Sequence, residues 1–222
     1  MKKLILLLSC ILFMQCSIST ASKKNDDVEC DSISLKISHL INDYYMIDNE
    51  QSFIRLDSAL AIIDSIEGKC EKYNGVNSLR RLAILSIKHE YTNALEYAEL
   101  LNGSLIGEVH KSIIVNRFKA MVAMEEGDVD AKDQYIKDII NLLQLQFSEN
   151  EISSILQSCD IDSIMKNPKY FYLIQLYYYR AELEGIDKIT NELSLIVENC
   201  EEDVLWILTP DSTENFMIFI GI

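Results

Sequence analysis

Apolar residues recur along this chain in steps of three and four, the spacing that lays one stripe down an α-helix. Phe53, Leu56, Leu60 and Ile63 form one such stripe, and Ile136, Ile139, Ile140 and Leu143 form another. Helix breakers are scarce, with 2 prolines and 7 glycines in 222 residues. The pattern predicts helices over residues 32–47, 50–67, 77–88, 91–102, 105–126, 128–147, 149–158, 168–184 and 186–198. Ser148-Glu149-Asn150-Glu151 has the form of a capping box, and Asn167-Pro168 that of an N-cap followed by proline at the first helical position. The connections are short, so successive helices are expected to pack as antiparallel hairpins. Beyond Cys200 the pattern changes. Val204 to Thr209 and Phe216 to Ile220 are apolar runs around Pro210-Asp211-Ser212, which suits a small β-hairpin or an extended tail.

The hairpins recur with a period. Ala59, Ala94 and Ala131 hold similar places early in their second helices, 35 and 37 residues apart, and a fourth pair turns at Glu184-Gly185. Tyr91-Thr92-Asn93-Ala94-Leu95-Glu96-Tyr97-Ala98 looks like the Tyr-x-x-Ala start of a second repeat helix, and Gly127-Asp128 falls between two helices. On these residues the chain resembles a tetratricopeptide repeat (TPR) protein over residues 32–147, and more loosely over 168–198. Ala120 fits the family's small mid-helix position. Leu82 departs from it, and the early Trp and the closing Pro of each repeat are missing. The resemblance implies an all-α fold of helix hairpins in a short right-handed solenoid, and protein binding as its use.

The first residues read as an export leader. Met1-Lys2-Lys3 is charged, and Leu4 to Gln15 is an apolar core shorter than the roughly 20 residues that span a membrane. Two processing readings stand side by side. One is cleavage before a lipidated Cys16, with residues 1–15 removed. The other is cleavage after Ser19-Thr20-Ala21, with residues 1–21 removed. Bulky Gln15 is unusual before a lipidated cysteine, whereas the polar run after Cys16 suits a tether, drawn here over 22–31. The helical domain is then expected over 32–200 and the tail over 201–222. The expected location is the periplasm or outer membrane, with the membrane reached only through a lipid on Cys16.

Export gives the remaining cysteines a meaning. Cys30 and Cys70 flank the first hairpin pattern, and Cys159 and Cys200 flank another at nearly the same span. The ends of an antiparallel pair lie side by side, so the layout favours disulfides Cys30–Cys70 and Cys159–Cys200 among three connectivities. None of these cysteines sits at metal-ligand spacing.

The net charge of −15 falls to −17 once Lys2 and Lys3 leave with the leader. So acidic a chain repels phosphate backbones, which argues against nucleic-acid partners and suits a basic protein. His39, His89 and His110 are dispersed, and no HExxH, GxSxG, P-loop or GxGxxG motif occurs. Ser163-Ile164-Met165-Lys166 matches an SxxK string without its companion motifs, a match that arises readily by chance. Asp128-Val129-Asp130 and Asp160-Ile161-Asp162 do not continue into a calcium loop and read as helix N-terminal acids.

The tyrosines of 168–184 are the remaining candidate. Tyr170, Tyr172, Tyr177, Tyr178 and Tyr179, with Phe171, sweep most of the way round one helix, so one stripe does not bury them all. They are expected either under the C-terminal segment or on a surface that meets a partner or small ligand. No catalytic, cofactor or metal residue is assigned. The expected function is a non-enzymatic protein-interaction module of the cell envelope. A periplasmic immunity protein against a basic toxin and an accessory scaffold lipoprotein are the alternatives.

Overall fold

The computed structural model describes residues 26–46, 51–157 and 160–196. Cys16, Cys159, Cys200, the leader and the 201–222 tail lie outside them. The described residues are helical throughout their regular structure, with no strand among them. They fall into two compact units divided between Ile106 and Gly107.

In the first unit, α1 (Asp26–Met46) packs on α2 (Gln51–Ile66). Of the apolar stripe read from the sequence, Leu56 and Ile63 are buried and, with Ala59 and Ile66, close on Ile37 and Ile84; Leu60 is partly buried against the same core, which Cys30 and Cys70 also join. Phe53, the first residue of that stripe, is half exposed and rests edge-on against Tyr44. A 3₁₀ turn (Glu71–Tyr73) leads into α3 (Asn74–Ile87), which pairs with α4 (Tyr91–Leu100). Leu82, Leu85, Tyr91, Ala94 and Ala98 are buried along this second hairpin. The short α5 (Gly103–Ile106) closes the unit.

In the second unit, α6 (Glu108–Glu126) and α7 (Val129–Gln144) form a hairpin, and α10 (Tyr170–Glu184) packs on α7 and on α11 (Ile186–Ile196). Two short helices, α8 (Glu151–Leu156) and α9 (Ile161–Lys166), connect α7 to α10. The buried stripe Ile136, Ile139, Ile140, Leu143 lies on the face of α7 turned inward.

Turn chemistry sets the hairpins. At the α6–α7 turn, Gly127 takes φ 75° and its N–H donates to the Met124 carbonyl, while the Asp128 N–H donates to the Ala123 carbonyl. This is a Schellman closure, and it places Asp128 to accept from the Ala131 N–H at 3.0 Å as the next helix's N-cap. The α3–α4 turn repeats the bonds, Glu90 N–H to Leu85 and His89 N–H to Ser86, with His89 at φ 58° in the glycine position.

The structure departs from the periodicity in three places. The 105–126 segment is two helices, because Gly107 at φ 90° cannot continue one. Helix α9 lies where none was expected. Helix α1 begins at Asp26, inside the stretch drawn as a tether. Only half of the expected capping box forms: the Ser148 N–H donates to the Glu151 carboxylate at 2.8 Å, and Asn150 takes a left-handed φ of 64°. Asn167 accepts from the Lys169 N–H at 2.8 Å just ahead of α10.

Candidate functional site

Of the cysteines, Cys30 and Cys70 are disulfide-bonded, with Cα atoms 5.7 Å apart. The pairing predicted for Cys159–Cys200, and lipidation at Cys16, concern residues outside those described.

The tyrosine helix differs from one of its two expected roles. Tyr170, Tyr177 and Tyr179 are 3%, 2% and 1% exposed, so they do not form a partner surface. The cause is the position of α10 in the middle of its unit. Its Tyr170, Leu173, Ile174 and Tyr177 face a core with Leu156, Ile164, Ile189 and Leu193. Its Leu176 and Tyr179 face a second core with Ile113, Ala120, Ile136, Ile139 and Leu143. Two cores on two sides cover what one stripe could not. Tyr172 and Tyr178 are partly buried and pack against the second core, and Phe171 is 40% exposed. Burial pushes the Tyr177 hydroxyl up to about 12 and raises those of Tyr170, Tyr178 and Tyr179.

The histidines are placed structurally. His39 is exposed, His89 closes the α3–α4 turn with its Nδ1 2.7 Å from the Tyr91 hydroxyl, and burial lowers the pKa of His110 on α6. Ser163 of the SxxK string donates to Asp160 at 2.6 Å. Among the described residues no group of His, Cys, Asp and Glu is placed to hold a metal ion, and no helix is long and apolar enough to cross a membrane.

The first unit contains a cleft of about 370 Å³ that no motif announced. Arg81 on α3 forms its wall. Its guanidinium carbon lies 4.8 Å from the centroid of the Tyr97 ring on α4, and its Nη2 bonds Asp64 on α2 with Glu67 nearby at 3.9 Å. Arg81 Nε is buried with no hydrogen-bond partner. The Tyr97 hydroxyl is held 3.2 Å from Ser78 Oγ, which fixes the ring beneath the cation. Asn74, Asn77 and Asn102 add carboxamides. Asn77 also accepts from Arg80, which donates to Ser34 and Ser38 as well; burial among these neutral partners lowers Arg80 to about 10.

Leucines flank the polar wall. Leu100 is 85% exposed and Leu105 46%. Gly75 lets the start of α3 approach α5, since a Cβ there would stand 2.9 Å from the Leu105 carbonyl oxygen. The cleft thus offers apolar area, carboxamides, a π-stacked cation and the exposed acid Glu67. Sequence reasoning passed over it because its members come from α2, α3, α4 and α5 with no shared spacing. An exposed leucine ending α4 is the single trace in the primary structure.

No protein-family model, no curated protein and no solved structure matches this chain.

Proposed function

We propose that this chain is exported, is held at the envelope by a lipid on Cys16, and works as a non-enzymatic protein-interaction module built on TPR-like hairpins stacked as a right-handed solenoid. The Schellman turns at His89-Glu90 and Gly127-Asp128, at corresponding places in two hairpins, support the repeat reading. The Cys30–Cys70 bond supports export, because disulfides persist in oxidising compartments.

The observation that carries binding is the cleft of the first unit. Exposed Leu100 and Leu105 offer area for an apolar side chain. Arg81 and the asparagines suit the carbonyls of a peptide backbone. Glu67, well exposed in the cleft's lining, suits a lysine or arginine beside that side chain. The partner is accordingly a protein presenting an apolar residue next to a basic one.

The test immobilises the oxidised mature domain, from Ser22 onward, and exposes it to envelope and secreted fractions. A partner retained by the parent and lost with Leu100→Lys and Glu67→Lys, both folded by circular dichroism, supports the reading. Retention unchanged by both substitutions, or no specific partner, overturns it. A single stoichiometric partner released steeply by salt would identify the toxin-neutralising form of the function.

A further inference from the structure

Asp-Ser followed by a small or aliphatic residue, or by threonine, recurs five times: Asp31-Ser32-Ile33, Asp57-Ser58-Ala59, Asp64-Ser65-Ile66, Asp162-Ser163-Ile164 and Asp211-Ser212-Thr213. Helix formation does not account for the pair. Aspartate and serine both compete with the backbone for its hydrogen bonds and are weak helix formers, yet three of the tripeptides lie within α1 and α2. The aspartates have structural partners: Asp31 pairs with Lys72, Asp57 with Lys88 and Asp64 with Arg81. The serines that follow show no such contact. Ser58 and Ser65 donate only to carbonyls of their own helix turn, at 2.8 Å each.

The fold treats all the described tripeptides alike. The third residue turns inward: Ala59, Ile66 and Ile164 are buried and Ile33 packs against the first core. The serine turns outward, with Ser32, Ser65 and Ser163 exposed and Ser58 partly so. Among the described residues the buried serines are Ser34, Ser78 and Ser86, and none of them follows an aspartate. Every described serine hydroxyl directly behind an aspartate thus lies outside the core; Ser104, Ser148 and Ser154 are exposed as well, so the recurrence of the tripeptide, and not exposure alone, singles these serines out.

We propose that the serines of these tripeptides are sites of O-glycosylation, read by one transferase from the preceding carboxylate and the small or aliphatic residue that follows. The inference rests on the export reading. Export separates the chain from the nucleoside triphosphates that phosphorylation consumes, whereas saccharides cross membranes on polyprenyl diphosphate carriers. The Ser Oγ bonds to the anomeric carbon of the carried saccharide and the anomeric carbon–phosphate oxygen bond breaks. The hydroxyl proton passes to a base of the transferase, and the lipid diphosphate leaves. Because Asp31, Asp57 and Asp64 are engaged once the first unit has folded, the transfer acts on the unfolded, newly exported chain. Folding then holds each saccharide at the surface.

The test compares intact masses of the full chain made with its leader in its native host and of residues 22–222 made without it in a reducing cytosol. The expected result is a set of equal saccharide increments on the exported chain alone, released by mild alkali and mapped to Ser32, Ser58, Ser65 and Ser163. Asp57→Asn, which keeps the Ser58 hydroxyl, should lose one increment. Ser112→Ala, at a serine with no aspartate before it, should lose none. A processed chain with no added mass, increments removed by phosphatase, or sugar on Asn102 of Asn102-Gly103-Ser104 instead would each overturn the proposal. A chain recovered with its leader intact would overturn the export reading together with it.

Discussion

Cys30, on the first turns of α1, is bonded to Cys70 beyond the end of α2, so one covalent link closes a hairpin across a sequence separation of 40. Both cysteines are buried at the edge of the hairpin's core. A loop of this size removes chain entropy from the unfolded state equivalent to about 4 kcal/mol, less any strain. Reduction, or the Cys30→Ser/Cys70→Ser double substitution, should therefore lower the stability of the first unit by a few kcal/mol. Urea unfolding followed by circular dichroism, with and without reductant, measures it. Equal midpoints in both conditions would remove the bond from any account of stability.

Gly75 provides a test whose sign is informative. In most helices Gly→Ala stabilises by about 0.5–1 kcal/mol. Here the added Cβ would stand 2.9 Å from the Leu105 carbonyl oxygen, a backbone atom with little room to move. Gly75→Ala should instead destabilise by about 1–3 kcal/mol, as other overpacked sites do. It should also weaken capture of a cleft-bound partner. The urea midpoint decides the sign.

The buried tyrosines should resist titration. The Tyr177 hydroxyl, ordinarily at 10.0, is pushed up to about 12 mainly by desolvation. A raised folded value for an acid means stability that is intact below pH 10 and lost as pH climbs toward 12. Ultraviolet titration should show tyrosines that ionise only together with alkaline unfolding. Tyr170→Phe should be neutral or stabilising, because the buried Tyr170 hydroxyl has no hydrogen-bond partner. Tyr177→Ala should cost about 3–5 kcal/mol through the cavity it opens.

Acid stability should reside partly in the second unit. Glu184 is lowered from 4.5 to about 2, first by its hydrogen bond to Arg180 at 2.8 Å and then by Lys188 at 2.6 Å. Glu151 is lowered to about 2 by Lys169 and Ser148. A depressed folded value means stability that is present above about pH 4.5 and is lost as pH falls toward 2. Glu184→Gln should flatten the stability profile across that window, read as thermal midpoint against pH. A profile as steep as the parent's would show that other carboxylates set it.

The helices were legible because period is a local property. Leu56, Ile63, Ile136 and Leu143 announced their faces through spacing alone, and Gly127-Asp128 announced a turn through the left-handed φ that glycine permits. Helix α9 was not legible, since a six-residue helix between Asp160 and Lys166 is too short to display a period. The cleft was not legible either. Arg81 stacks on Tyr97 only because α3 and α4 fold back on each other, and sixteen residues of sequence separate the pair.

Local chemistry in the sequence by itself determined that this protein is helical and where most helices start and stop, and it favoured the meeting of Cys30 with Cys70 among three connectivities. Each follows from interactions within one or two turns, or from the two ends of one hairpin lying together. Only the tertiary structure decided the fate of the tyrosines. A single helix has one inward stripe when it packs on one neighbour, but α10 is covered on two sides by separate cores, and burial then depends on how many helices surround it. That number is a property of the assembled unit, which no window of the chain contains.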